Sequence, residues 1–297
     1  MTVDAPSTAL KALLAVLDLE QIEDNLFRGA RGSEGWQRVY GGQVLGQALM
    51  AALRTVERER RVHSLHGDFL LAGDPSLPIV YDVERTRDGG SFTTRRVKAI
   101  QHGAAIFTMS ASFHKLEEGL EHQSAMPVVP GPEALPNPKD VIASLIDKLP
   151  TAMRSYWERD RPIDMRVVDI SRYLEREKKV PVQQIWFRAA GRLPDDPAVH
   201  QAVLAYASDF TLLDTALIAH GKLLFDADIQ LASLDHSLWY HRPFRADEWM
   251  LYVQDSPNAH GARGFSRGSI YTRKGALIAS AAQEGLMRLR STKFVPN

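Results

Sequence analysis

The chain has 297 residues, 44% of them hydrophobic and 24% charged, and its 36 basic side chains balance 36 acidic ones to a net charge of zero. Length alone predicts two domains at roughly 150 residues each. The lack of cysteine excludes disulfides, thiolate metal sites and cysteine nucleophiles, and it fits a reducing, cytoplasmic setting. Without a charge excess or a Lys/Arg run there is no field to steer nucleic acid, and with no apolar run approaching 18 residues no membrane insertion is expected.

Residues 8–22 repeat apolar positions at helical spacing. Lys11 and Asp18 interrupt the stretch and no basic segment precedes it, so it reads as an amphipathic helix and not a signal peptide. A Gly-rich loop (28–36) leads to a helix over 39–56, with Gly41 and Gly42 at its start and apolar residues on most sides. Four strand-like stretches follow, 62–71, 78–88, 91–101 and 104–115, joined by short turns at Gly89-Gly90 and Gly103. Residues 116–164 are rich in Pro and acidic side chains and read as a surface linker. Strand-like 165–170 and 183–190 then lead into a helix over 202–221, ended by Gly221. Strands at 229–241, 249–256, 262–273 and 276–287 complete the chain.

The halves repeat. His63-Ser64-Leu65 matches His236-Ser237-Leu238 at an offset of 173, the Gly103 turn matches the Gly275 turn at 172, and Ala48-Leu49 matches Ala216-Leu217 at 168. Offsets that drift by a few residues fit loop insertions between duplicated units. The predicted class is α+β, with two helix-plus-antiparallel-meander units in one chain: 1–115, a linker over 116–164, and 165–297.

Several motifs invite chemistry. GFSRG at 264–268 matches the G-x-S-x-G nucleophile elbow, but the residues after Ser266 are β-branched where a helix is needed, and 267–297 contains neither Asp nor His. His63 and His66, like His236 and His241, stand at odd spacings that point side chains to opposite faces of a strand, and no carboxylate cluster joins them; no metal and no cofactor are expected. His63 remains a candidate cleft residue. Asp209, in YASDFTLLDTAL, reads either as a helix N-cap or as a functional carboxylate. Gln283 interrupts a run of small apolar residues, where a polar group needs a partner.

Taken together, VYGGQVLGQAL, YASDFTLLDTAL, LASLDHSLWYHRPF, ARGFSRGSIYT and AAQEGLM resemble the acyl-CoA thioesterase II family, over about residues 10–288. That resemblance implies a double-hotdog fold, hydrolysis of fatty acyl-CoA, and a water-activating trio. The trio falls on Asp209 of the YxSD motif, Ser233 two residues before DHS, and Gln283 of QEG. Some members carry Thr at the hydroxyl position; Ser keeps the hydroxyl without the methyl that fixes its rotamer. A related hotdog hydratase has His five residues after its Asp, where this chain has Asp214.

The chemistry suits these residues. A carboxylate can take a proton from water, a hydroxyl and an amide can hold that water in line, and a thiol with a pKa of about 8.5 leaves readily as thiolate. With Asp209 at a helix start, the carboxylate should stay ionised. The first half carries Tyr40-Gly41-Gly42-Gln43 at its helix start and no counterpart of Gln283, so one site per chain is expected. Gly41 and Gly42 either supply an oxyanion donor or relieve crowding against the sheet. Acyl-CoA is the expected partner, and assembly into a homo-oligomer, a dimer or tetramer of double-hotdog chains, is expected.

Overall fold

The computed structural model describes residues 6–31, 38–137, 160–173, 175–224 and 226–290. The first half runs α1 (Thr8–Leu17), β1 (Glu20–Glu23), β2 (Leu26–Gly29), α2 (Gly41–Leu53), β3 (Arg60–Phe69), β4 (Ile79–Asp88), β5 (Phe92–Gln101) and β6 (Ala104–Lys115). The second runs β7 (Ile163–Val167), β8 (Val182–Ala189), α3 (Pro197–Ser208), α4 (Leu212–Leu217), β9 (Ile229–Ser233), β10 (Asp235–Tyr240), β11 (Met250–His260), β12 (Arg263–Thr272) and β13 (Leu277–Leu289).

Local chemistry explains most boundaries. The Ser7 hydroxyl caps α1 by accepting from the Leu10 N–H, and Leu10, Leu13 and Leu17 form its buried stripe. The helix therefore stops short of the expected 8–22, and the chain enters the β1–β2 hairpin instead, whose first strand is exposed throughout and shows no alternation to read. Asp196 accepts from the Ala198 N–H at 2.9 Å and Pro197 fills the first position, where a missing N–H is harmless. So α3 begins five residues before the expected 202. It also ends early, at Ser208; the expected continuous helix is broken at 209–211, and Gly221 (φ 63°) caps a 3₁₀ turn beyond α4. The β5–β6 and β11–β12 hairpins each turn on two residues of positive φ, His102-Gly103 and Gly261-Ala262.

All strands among the described residues pair antiparallel in one sheet, in the order β1-β2-β4-β5-β6-β3-β10-β13-β12-β11-β8-β7, with β9 on β13. The halves meet where β3 pairs with β10, and there Leu65 faces Leu238, the residues related by the 173-residue repeat. On one side of the sheet α2 and α3 run antiparallel against each other: Gly42 lies against Tyr206 and Gly46 against Ala202. A single apolar core spans both halves.

The described part of the linker straps onto the second half. Trp186 Nε1 donates to the Pro130 carbonyl at 2.8 Å, and Arg273 pairs with Glu133 at 2.7 Å. Residues 138–159 of the expected linker lie outside the described residues. By length and mean hydropathy (1.4), 197–220 is long and apolar enough for a membrane-crossing helix, but it is mostly buried and is broken at Asp209.

Candidate active site

The N-terminus of α2 abuts the C-terminus of α3, and the carboxyl group of Asp209 sits at this junction. Asp209 is the C-cap of α3, not an N-cap, so it is not the positional counterpart of Tyr40-Gly41-Gly42-Gln43. The two meet in space because the helices run in opposite directions. The carboxylate lies against the start of α2, where the Gly42 backbone N–H helps to lower its pKa, at the positive end of the first half's helix. Gln283 Nε2 donates to Asp209 Oδ1 at 2.8 Å.

Burial dominates this carboxyl. It pushes Asp209 up to about 6, against the opposing pull of the bonds from Gln283 and Gly42. Asp209 is therefore less acidic than an ordinary cap, but a carboxyl near 6 is still mostly ionised at neutral pH. Beside it lies His236, fully buried, with Nδ1 4.0 Å from Asp209 Oδ1. Burial pushes this imidazole down to about 3, so it is neutral, and its Nε2 bonds the Ser208 hydroxyl at 2.8 Å.

Gln283 lies on β13 with its amide buried, and its Oε1 has no hydrogen-bond partner among the described residues. Ser266 stands directly opposite it in mid-strand β12, which is no place for a nucleophile elbow. Ser233 pairs with Gly285, two residues along β13 from Gln283 and on the same face. A bulge puts it there. The expected strand 229–241 breaks at Leu234, where Leu234 and Asp235 both bond Glu284. On an unbroken strand Ser233 and His236, three apart, would face opposite ways; the extra residue turns both toward the helices. No hydrogen bond joins Ser233 to Asp209 or Gln283 among the described residues.

Of the other predicted site residues, Gly41 and Gly42 belong here and His63 does not. A Cβ on Gly41 would lie 2.8 Å from Asp209 Oδ2, and one on Gly42 would lie 2.3 Å from the Tyr206 carbonyl. The Gly42 N–H is turned towards the carboxylate and pulls its pKa down. His63 sits at a second bulge, between Val62 and Ser64 of β3. Its Nε2 bonds Ser112 Oγ at 2.9 Å on the sheet face turned away from the helices. The same bulge puts His66 on that face, where alternation predicted opposite sides. No group of three or more His, Asp or Glu among the described residues is arranged to hold a metal. Asp214, at the hydratase position, is buried in α4 and accepts from the Tyr173 hydroxyl at 3.1 Å.

His236, Thr211, Tyr252 and Gln254 also stand around Asp209 and were not expected there. His236 was signalled by its place in DHS, but only as half of a histidine pair. The others lie around the helix break and have no local signature.

Residues 32–114 match the profile of the acyl-CoA thioesterase N-terminal domain, and residues 155–286 that of acyl-CoA thioesterase. Acyl-coenzyme A thioesterase 8 of Homo sapiens is 41% identical, covering 97% of this chain and 92% of its own. Acyl-CoA thioesterase 2 of Haemophilus influenzae is 39% identical, covering 95% and 99%. The crystal structure of an acyl-CoA thioesterase II from Mycobacterium marinum aligns with a TM-score of 0.78 at 46% identity, over 94% of this chain and 99% of that one. A hotdog-fold protein from Alicyclobacillus acidocaldarius, 18% identical, aligns with a TM-score of 0.75 over 94% and 98%. The fold is the expected double hotdog, and the chain belongs to the acyl-CoA thioesterase II family.

Proposed function

We propose that the protein hydrolyses acyl-CoA thioesters with Asp209 as general base, and the observation that carries this reading is the buried Asp209–Gln283 pair at the N-terminus of α2. Water attacks the thioester carbonyl carbon as Asp209 takes its proton. The tetrahedral intermediate collapses with cleavage of the C–S bond, and the CoA thiolate recovers the proton. Gln283 holds the carboxylate through Nε2 and offers Oε1 to the water; Ser233, on the same face, holds the water from the other side. With the Gly42 N–H turned towards the carboxylate, the oxyanion donor at the helix start falls to Gly41. One site per chain follows, since the second half brings the carboxylate and the first half brings the helix N-terminus.

Thiol release from a panel of acyl-CoA esters, followed against pH, tests the reading. The base must be ionised, and its carboxyl lies near 6. Activity should therefore rise with pH through about 6 and level off above it. A profile flat from pH 5 to 8, or no thiol release from any acyl-CoA, would rule it out. Ser233→Ala and Gln283→Ala should each lower kcat more than they raise KM; changes confined to KM would make them substrate-binding residues instead.

The finer points rest on the family resemblance and on the absence of cysteine. These are a fatty acyl chain as substrate, work in lipid metabolism in the cytoplasm without membrane insertion, and assembly into dimers or tetramers.

A further inference from the structure

Asp209 lies in a break of three residues, 209–211, between α3 and α4. The break is closed by Thr211 in the left-handed region (φ 70°, ψ −12°), a conformation that a β-branched residue adopts only when its surroundings impose it. The imposing element is β11. The Tyr252 hydroxyl donates to the Ser208 carbonyl at 3.1 Å, on the near side of the break. Gln254, two residues along the strand and on the same face, is fully buried. Its Nε2 donates to Thr211 Oγ1 at 2.8 Å, on the far side. Its Oε1 accepts from Thr215 Oγ1 at 2.7 Å and from Gln183 Nε2 at 3.2 Å. The Thr211 hydroxyl in turn donates to the Phe210 carbonyl at 2.5 Å.

We propose that Tyr252 and Gln254 are positioning residues for Asp209: they clamp the left-handed turn at Thr211 from β11, and so hold the carboxylate against Gly42 and Gln283. This rests on the reading of Asp209 as the base. Neither clamp residue is hydrogen-bonded to Asp209; both act through the backbone that carries it. The geometry gives the clamp a purpose that packing alone would not require. Ser208 and Thr211 are both tied to the second half's sheet, while Asp209, between them, reaches across to the first half's helix. A break free to pivot would move the carboxylate relative to the water, and a displacement of about 1 Å at a reacting group costs on the order of a hundredfold in rate.

Thr211→Gly removes the hydroxyl that Gln254 holds but suits the left-handed backbone, so relief of strain offsets part of the lost hydrogen bonding and the variant should still fold, with a modestly lowered Tm. Its kcat is expected to fall at least tenfold with KM held within about twofold. Thr211→Ser, which keeps the hydroxyl, should restore most of that loss. Gln254→Leu should behave like Thr211→Gly, and the double variant should be no slower than the worse single one, because both remove the same contact. The acid limb of the pH profile should shift in each, as the carboxylate changes surroundings. Asp209→Asn separates the two ideas. If Asp209→Asn is inactive while Thr211→Gly keeps full kcat and an unmoved acid limb, the clamp is overturned and the base stands. If Asp209→Asn turns over normally, the base assignment itself is wrong. On the Asp209→Asn background, Thr211→Gly should slow kcat no further; a further tenfold loss would mean that the turn acts on something other than the carboxylate.

Discussion

Asp209→Asn is expected to lower kcat by about a hundredfold or more, as loss of a positioned general base does, while the protein still folds. Its stability should carry a second signature. The carboxyl is raised from 3.8 to about 6 by burial, so ionising it opposes folding. Below about pH 4 the group is protonated in both folded and unfolded chains and takes nothing from the fold. As pH rises through 6 the unfolded chain has already released its proton, and the folded state loses about 3 kcal/mol relative to it. Asparagine has no such dependence. Relative to the wild type, the variant should therefore gain on the order of 3 kcal/mol between pH 4 and pH 7, whatever constant offset the lost hydrogen bonds impose. Denaturant titrations at several pH values measure this. A constant stability difference across that range would mean that the carboxyl is not held in a desolvated place, and turnover near the wild-type value would remove it from the mechanism.

Gly42→Ala is expected to damage both fold and rate. Its new methyl group would lie 2.3 Å from the Tyr206 carbonyl and 2.5 Å from the Tyr40 ring. The first contact is backbone and cannot rotate away, so α2 and α3 must separate. Overpacking of this kind costs about 3 kcal/mol, which for a chain of this size lowers Tm by roughly 6–12 °C. Separation also draws the Gly42 N–H away from Asp209, so kcat should fall by at least tenfold. Gly46→Ala, whose methyl group would come no nearer than 3.0 Å, to a Leu17 side-chain carbon, is the milder comparison. A Gly42→Ala variant with wild-type Tm and kcat would show that the close approach of the two helices is not needed.

The repeat was legible because duplicated strands keep their turns: Leu65 and Leu238 matched in sequence and face each other across the β3–β10 seam. The strands of the two meanders were legible from alternation and hairpin glycines. What alternation could not show were the bulges. One extra residue at His63 and another at Leu234 reverse the facing of everything before them, so His63 leaves the site and Ser233 enters it. The break at Asp209 was hidden for a different reason. AVLAYASDFTLLDTALIAHG keeps helical apolar spacing throughout and contains no Pro or Gly before its end. The turn is imposed by Gln254, 43 residues away along the chain, and a window of sequence cannot contain its cause. The start of α3 is written in Asp196-Pro197, a capping carboxylate followed by a proline at the first helical position.

The carboxylate of the second half lies against the backbone of the first. After a gene duplicates, one copy is ordinarily released from selection and drifts. Here the copy without a carboxylate gained no such freedom. Its glycine at position 42 faces the Tyr206 carbonyl and lies against Asp209, so an ordinary side chain there would displace the other copy's carboxylate. Substitutions in the two halves are then coupled: the tolerated changes at residues 40–42 depend on what stands at 206–210. The two units are no longer a repeat in the sense of spare parts, and a chimaera that joins the first half of one relative to the second half of another should work only when this junction is transferred as a block.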